Sequence, residues 1–183
     1  MNILFLTTHL NSGGITSYLF TLSKGLIQRG NTVHIVSSGG NMEQEFVAMG
    51  AKSVILNIKT KSELDPKIYI ALPRLKKYIR QNHIDIIHAQ TRVTQVMANF
   101  LKQLTHVPYV TTCHGFFKPR LFRRIFPCWG DMAIAISPSV MEHLHNDFRR
   151  NPLEIALVRS GIDACWFSAI DENLRKQKRL SLG

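Results

Sequence analysis

The sequence predicts a doubly wound parallel α/β fold in a single domain. Three observations lead to it. Short apolar runs recur along the chain and alternate with longer stretches whose apolar residues fall at helical spacing. The first run, residues 2–7 (NILFLT), is continuously apolar between polar flanks, as a strand buried on both faces requires. The length, 183 residues with 45% hydrophobic content, suits one domain with a real core and excludes a disordered chain.

The elements follow in order. After the first strand, residues 11–14 (NSGG) form a glycine loop. Residues 16–29 carry Leu19, Leu22 and Leu26 on one helical stripe, and Gly30 is placed to cap the end. Residues 32–37 (TVHIVS) read as a strand, 43–49 as a short helix and 53–58 (SVILNI) as a strand. Residues 66–82 read as a helix, with Pro66 suited to its first turn. Then come a strand at 84–89 (IDIIHA), a helix at 92–104 and a strand at 108–113 with proline in first position. Residues 131–136 (DMAIAI) form a strand, and Ser137-Pro138 is a helix start with serine as cap. Residues 154–158 (EIALV) complete the series. Strands alternating with helices imply right-handed crossovers and a parallel sheet. The basic stretch 171–183 has no strand to follow and reads as a helical linker.

Basic residues number 23 against 12 acidic ones, a net charge of +11. Such a balance favours anionic partners: phosphates, acidic lipid or nucleic acid. It also serves plain solubility. Cys113, Cys128 and Cys165 are odd in number, with no metal-ligand spacing and no disulfide framework, which fits a reducing cytoplasm. The N-terminus lacks the basic region and cleavage site of a signal peptide. No apolar run approaches the roughly 18 residues needed to span a bilayer, so membrane contact is expected only at the periphery.

In a doubly wound sheet, ligands bind at the carboxyl ends of the strands near the switch point. The loops after strands therefore hold the candidates. Gly13-Gly14 precedes a helix, where glycines let a phosphate approach backbone N–H groups. A plain tight turn is the other reading. The pair is not a dinucleotide fingerprint, because G-x-G-x-x-G is absent and the second strand ends in Ser37-Ser38-Gly39-Gly40, without a ribose-binding acid. The Lys-Ser/Thr ending of a phosphate-binding P-loop is absent too. His114-Gly115 places a titratable imidazole at the mouth of the sheet, suited to a sugar hydroxyl or a developing oxyanion, and expected to titrate near neutral pH. An inert loop histidine is the alternative there. His88 is expected to pack or hydrogen-bond within the fold.

Between Phe116 and Trp129, aromatic and aliphatic residues interleave with Lys118, Arg120, Arg123 and Arg124. Three readings stand. Phe117, Arg120, Phe122, Arg123 and Arg124 face an anionic membrane, or the stretch stacks single-stranded nucleic acid, or a helix docks its apolar face on the sheet with its arginines in water. Nucleic acid ranks last, since it leaves the ordered loops unexplained. Acids are few and scattered, which excludes ordinary two-carboxylate glycoside hydrolysis.

Taken in order, NSGGITSYLFTLSKGLIQRGNTVHIVS, IDIIHAQ, PYVTTCHG, DMAIAISPSV and VRSGIDACWF resemble the N-terminal domain of GT-B fold glycosyltransferases, retaining family 4 above all. The resemblance covers nearly the whole chain. It implies a Rossmann-like N-terminal domain over residues 1–168 and the start of an interdomain linker over 169–183. It implies an acceptor-binding half, with a nucleotide-sugar donor held by a C-terminal domain that does not follow here. The acceptor implied is a glycan or a lipid-linked molecule of the cell envelope. No metal or cofactor is expected, the nucleotide sugar being a substrate. By position, Gly13 and Gly14 would face the donor phosphates and His114 the reacting sugar. His9, Gln90 and Arg92 would shape the acceptor pocket, and Ser160, Gly161 and Asp163 would lie at the hinge. Ser160 stands where the family usually has Asn. The resemblance is met equally by a chain that pairs with a separate donor-binding subunit, and a basic membrane or nucleic-acid binding module remains the alternative of another class.

Overall fold

The structure is a computed structural model that describes residues 1–162 and 172–181. Its elements are β1 (Asn2–Leu6), α1 (Gly14–Gln28), β2 (Thr32–Ser37), α2 (Glu43–Ala48), β3 (Lys52–Ile55), α3 (Pro66–Gln81), β4 (Ile86–Ala89), α4 (Arg92–Thr105), β5 (Tyr109–Cys113), α5 (Leu121–Ile125), β6 (Met132–Ala135), α6 (Pro138–Phe148), β7 (Ile155–Leu157) and α7 (Glu172–Leu180). The strands form one seven-stranded sheet in the order β3-β2-β1-β4-β5-β6-β7. Every pairing is parallel.

Both faces are covered, as the unbroken apolar strands require. Leu4 and Leu6 of β1 point into a cluster with Ile68, Leu72 and Leu75 of α3 and Val96, Met97 and Leu101 of α4. Ile3 and Phe5, one residue out of phase, point to the other face, against Leu19 of α1 and Phe46 of α2. A third cluster joins Cys113, Ala133 and Ala135 to Val140 and Leu144 of α6. Caps fall where the sequence puts them. Gly30 takes φ +77° just past α1, Asp65 accepts from the Lys67 N–H beside Pro66, and Ser137 Oγ accepts from the Val140 N–H.

Two segments differ from expectation. Strand pairing on the edge stops at Ile55. Beyond it, Leu56 N–H still reaches Ser37 O, and Ile58 N–H turns to Ser38 Oγ, so the segment leaves the ladder to support the loop after β2. The basic-aromatic stretch is not a helix docked on the sheet. Only Leu121–Ile125 is helical and none of it is buried.

The order in which the strands are laid down reverses between β1 and β4. Leu6 and Ala89 end level with one another there, in register. Gln90 N–H closes the seam onto Leu6 O at 3.0 Å. The loops that follow β1, β4 and β5 therefore open on the same edge, where a doubly wound sheet forms its ligand crevice.

Candidate functional site at the switch point

The loop after β1 is held from behind by the loop after β2. Leu10 N–H donates to Gly39 O and Met42 N–H to Leu10 O, at 2.9 and 3.0 Å. Ser12 N–H donates to Asn41 Oδ1 at 2.8 Å, and Asn41 Nδ2 returns a bond to Ser12 Oγ at 3.0 Å. Thr16 Oγ1 ties the first turn of α1 to Asn11 O at 2.7 Å. The glycine loop is thus a braced structure that carries Gly13 and Gly14 into the helix start. His9 sits in the same loop, half-buried, with Nδ1 accepting from Asn11 N–H at 3.2 Å. Its Nε2 therefore carries the proton.

Among the described residues nothing demands glycine at 13 and 14. A Cβ at Gly13 would come no closer than 3.9 Å to Asn11 O, and one at Gly14 would meet nothing within 4 Å. Gly13, at φ 164°, is in extended backbone open to any residue.

The loops after β4 and β5 meet at Gln90 and His114. Gln90 is buried at 2% exposure, and its Oε1 lies 2.9 Å from His114 Nε2. With that oxygen as acceptor, His114 carries its proton on Nε2 and presents Nδ1 as an acceptor. Gln90 Nε2 is buried with no hydrogen-bond partner among the described residues. A buried amide donor in a native fold has a partner to find. Thr91 caps α4 in a capping box with Thr94, which fixes the backbone beside Gln90.

Tyr18 of α1 closes the group. Its ring meets that of His114 edge-on at 4.9 Å, and its hydroxyl lies 3.4 Å from Thr112 Oγ1. Thr112 Oγ1 in turn sits 2.7 Å from His88 Nε2, and His88 packs against Phe5. His88 is thus a structural histidine, as expected. Tyr18 carries no signal in the sequence, because an aromatic on a helical stripe reads as core.

His114 does not titrate near neutrality. Burial pulls its pKa down to about 4. Burial, with His114 close by, pulls His88 to about 3. The site holds two neutral imidazoles at pH 7. His114 is thereby a hydrogen-bond acceptor that orients a hydroxyl and a poor proton shuttle. His34, beside Tyr78 Oη at 2.8 Å, is likewise lowered to about 4 by burial and Lys52.

All three histidines have folded pKa values below the unfolded value of about 6.5. Below that pH the unfolded chain binds more protons, so stability falls as pH drops from about 6.5 towards 4. His88 alone is expected to cost about 2 kcal/mol at pH 5. Urea unfolding at pH 8 and pH 5 checks this; equal stabilities at the two would contradict it.

Arg92 lies at the start of α4 but turns away from an open role. Its Nε pairs with Glu63, and its two terminal nitrogens donate to Pro127 O at 2.5 Å and Phe126 O at 2.7 Å. It clips the loop after β3 and the end of the basic-aromatic stretch onto the site. Phe117, expected to face a membrane, instead turns inward against Trp129 and His143 because Phe117 N–H is held by His143 Nε2 at 2.9 Å. Arg123 lies over the Phe117 ring at 4.6 Å. Phe116, Leu121, Phe122 and Ile125 are the exposed apolar groups of the stretch, with Arg120 and Arg124 among them.

Ser160 and Gly161 return to α1. With Gly14, Ser17, Tyr18 and Thr21 they line an apolar groove of about 410 Å³. The structure therefore brings the glycine loop and the expected hinge together. Asp163 lies outside the described residues. Among the described residues no group of His, Cys, Asp or Glu is arranged to hold a metal, and no helix is long and apolar enough to cross a membrane.

Solved structures share this fold. A glycosyltransferase from Rickettsia africae matches 100% of the chain at 19% identity with a TM-score of 0.79. HepE from Anabaena, solved with UDP-glucose, matches 98% at 15% identity and 0.74. The lipopolysaccharide outer core galactosyltransferase WaaB matches 89% at 11% identity and 0.65. This chain covers 50%, 49% and 46% of those chains, about half of each. No curated protein matches it in sequence. The model of Glycosyltransferase Family 4 matches residues 12–165, from the glycine loop through β7, and the chain belongs to that family.

Proposed function

We propose that this chain is the acceptor-binding half of a retaining glycosyltransferase whose donor is a nucleotide sugar. The observation that carries the reading is the buried Gln90–His114 pair at the switch point. It offers one acceptor, His114 Nδ1, and one unpartnered donor, Gln90 Nε2, beside the edge of Tyr18. An acceptor and a donor set side by side against an aromatic ring suit a sugar, whose hydroxyls both give and take hydrogen bonds.

In this reading His114 orients a hydroxyl of the reacting sugar and Gln90 holds it. Gly13 and Gly14, free of side chains that the fold has room for, let a donor diphosphate approach the N-terminus of α1. His9 and the Arg92 clip shape the acceptor side. Ser160, Gly161 and Asp163 lead to a second domain that holds the nucleotide. The half-length match to chains such as HepE, solved with UDP-glucose, supports that division. A glycan or lipid-linked acceptor of the cell envelope, met on the cytoplasmic side, accords with the likeness to WaaB.

Nuclear magnetic resonance of the labelled chain with a panel of glycans and lipid-linked sugars tests this. Shifts are expected at Tyr18, Gln90, Thr112 and His114 with at least one acceptor. Shifts confined to other faces across the panel would sink the assignment.

A further inference from the structure

The loops that deliver Gln90 and His114 run on into a second feature. Two residues past Gln90 stands Arg92, and two past His114 stands Phe116. Both line a cavity of about 670 Å³ together with Lys61, Glu63, Lys118, Arg120 and Arg123. Five cations and one carboxylate share this concave wall, a net charge of +4. The single carboxylate, Glu63, is already committed to Arg92.

Like charges gathered this closely repel. Burial, Arg92 and Arg120 push the Arg123 guanidinium below its usual pKa. Its face is taken by the Phe117 ring, which fixes its position. Lys118 and Arg120 are exposed, and no acid faces them from the cavity wall beyond Glu63. A dianion would relieve this repulsion, and guanidinium groups suit phosphoryl oxygens geometrically. The rim is of opposite character. Leu64, Phe116 and Phe122, which also line the cavity, are 64%, 69% and 43% exposed. A cationic hollow with an apolar rim matches a phosphate ester that carries an apolar tail.

We infer that this cavity is a phosphoryl subsite of the acceptor: the acceptor carries a phosphate or diphosphate ester, seated among Lys118, Arg120 and Arg123. The inference rests on the acceptor-side reading above. The phosphate itself comes either from a lipid-linked molecule or from a soluble sugar phosphate.

The test uses this chain, inorganic pyrophosphate by calorimetry, and flotation with phosphatidylcholine vesicles with and without phosphatidic acid. One variant joins Lys118→Glu and Arg120→Glu. A control joins Lys77→Glu and Arg80→Glu, the same change of charge on the far end of α3. The first variant is expected to weaken binding about tenfold or more and the control less than about twofold, with both keeping the wild-type melting temperature. Pyrophosphate binding without flotation identifies a soluble phosphoryl source, and flotation that needs phosphatidic acid identifies a lipid one. Equal weakening by the two variants would reduce the site to diffuse charge and overturn the inference. So would failure of both ligands to bind, or single-stranded RNA binding far tighter than pyrophosphate with a steep salt dependence. None of these readouts involves sugar transfer, so failure of the subsite is read separately from failure of the transferase reading on which it rests.

Discussion

Gly40→Val is expected to lose about 3 kcal/mol or more of folding stability, and to disorder the glycine loop before the rest of the sheet. The reason is contact, not backbone angle. A Cβ at Gly40 would stand 2.2 Å from the Leu10 carbonyl carbon and 2.5 Å from both Leu10 O and Asn11 N. All three are backbone atoms, so no rotamer change relieves the clash. The same backbone carries the bonds that brace the site, from Leu10 N–H to Gly39 O and from Met42 N–H to Leu10 O. Gly14→Ala is the contrast, with nothing within 4 Å of the added carbon and a stability change expected within about 0.5 kcal/mol. Urea unfolding of the two variants measures the difference. Equal stabilities would mean that the loop after β2 does not seat the loop after β1.

Under the proposed function, His114→Ala in a complete enzyme that includes a donor-binding domain is expected to lower kcat by about a hundredfold. The wild-type rate is expected to show no titration of His114 between pH 6 and pH 9. Because burial holds its pKa at about 4, Nδ1 keeps its lone pair through that range. The His114-dependent rate falls only as pH drops towards 4, where protonation turns the acceptor into a donor. A wild-type profile that rises through pH 6.5, and whose rise disappears in the variant, would contradict the neutral imidazole.

Much of the fold was legible because its signals are local. Continuous apolar runs mark strands buried on both faces, and Gly30, Pro66 and Ser137-Pro138 each mark a helix end by backbone chemistry that acts within a turn. The loops at Gly13–Gly14, Gln90 and His114 were legible by position, as the ends of strands in a doubly wound sheet. What was not legible depends on pairings far apart in sequence. Gln90 meets His114 across 24 residues, and Tyr18 meets Thr112 across 94. The titration of His114 follows from burial that those pairings create. The clip that Arg92 forms was not legible, because its partners, Glu63, Phe126 and Pro127, lie on two other loops. Between Phe116 and Trp129 the composition suited several structures. The outcome turned on His143 of α6 holding Phe117 inward, which leaves Phe116 outside.

In the proposed division, this chain contributes the acceptor side and leaves the nucleotide to another domain. Calorimetric titration of the isolated chain with UDP-sugars and other nucleotide sugars tests it most directly. Dissociation constants weaker than about 1 mM are expected for all of them once Lys118→Glu and Arg120→Glu remove the cationic hollow, since the glycine loop then offers a diphosphate only backbone N–H groups. Micromolar binding of any nucleotide sugar to that variant chain would contradict the division.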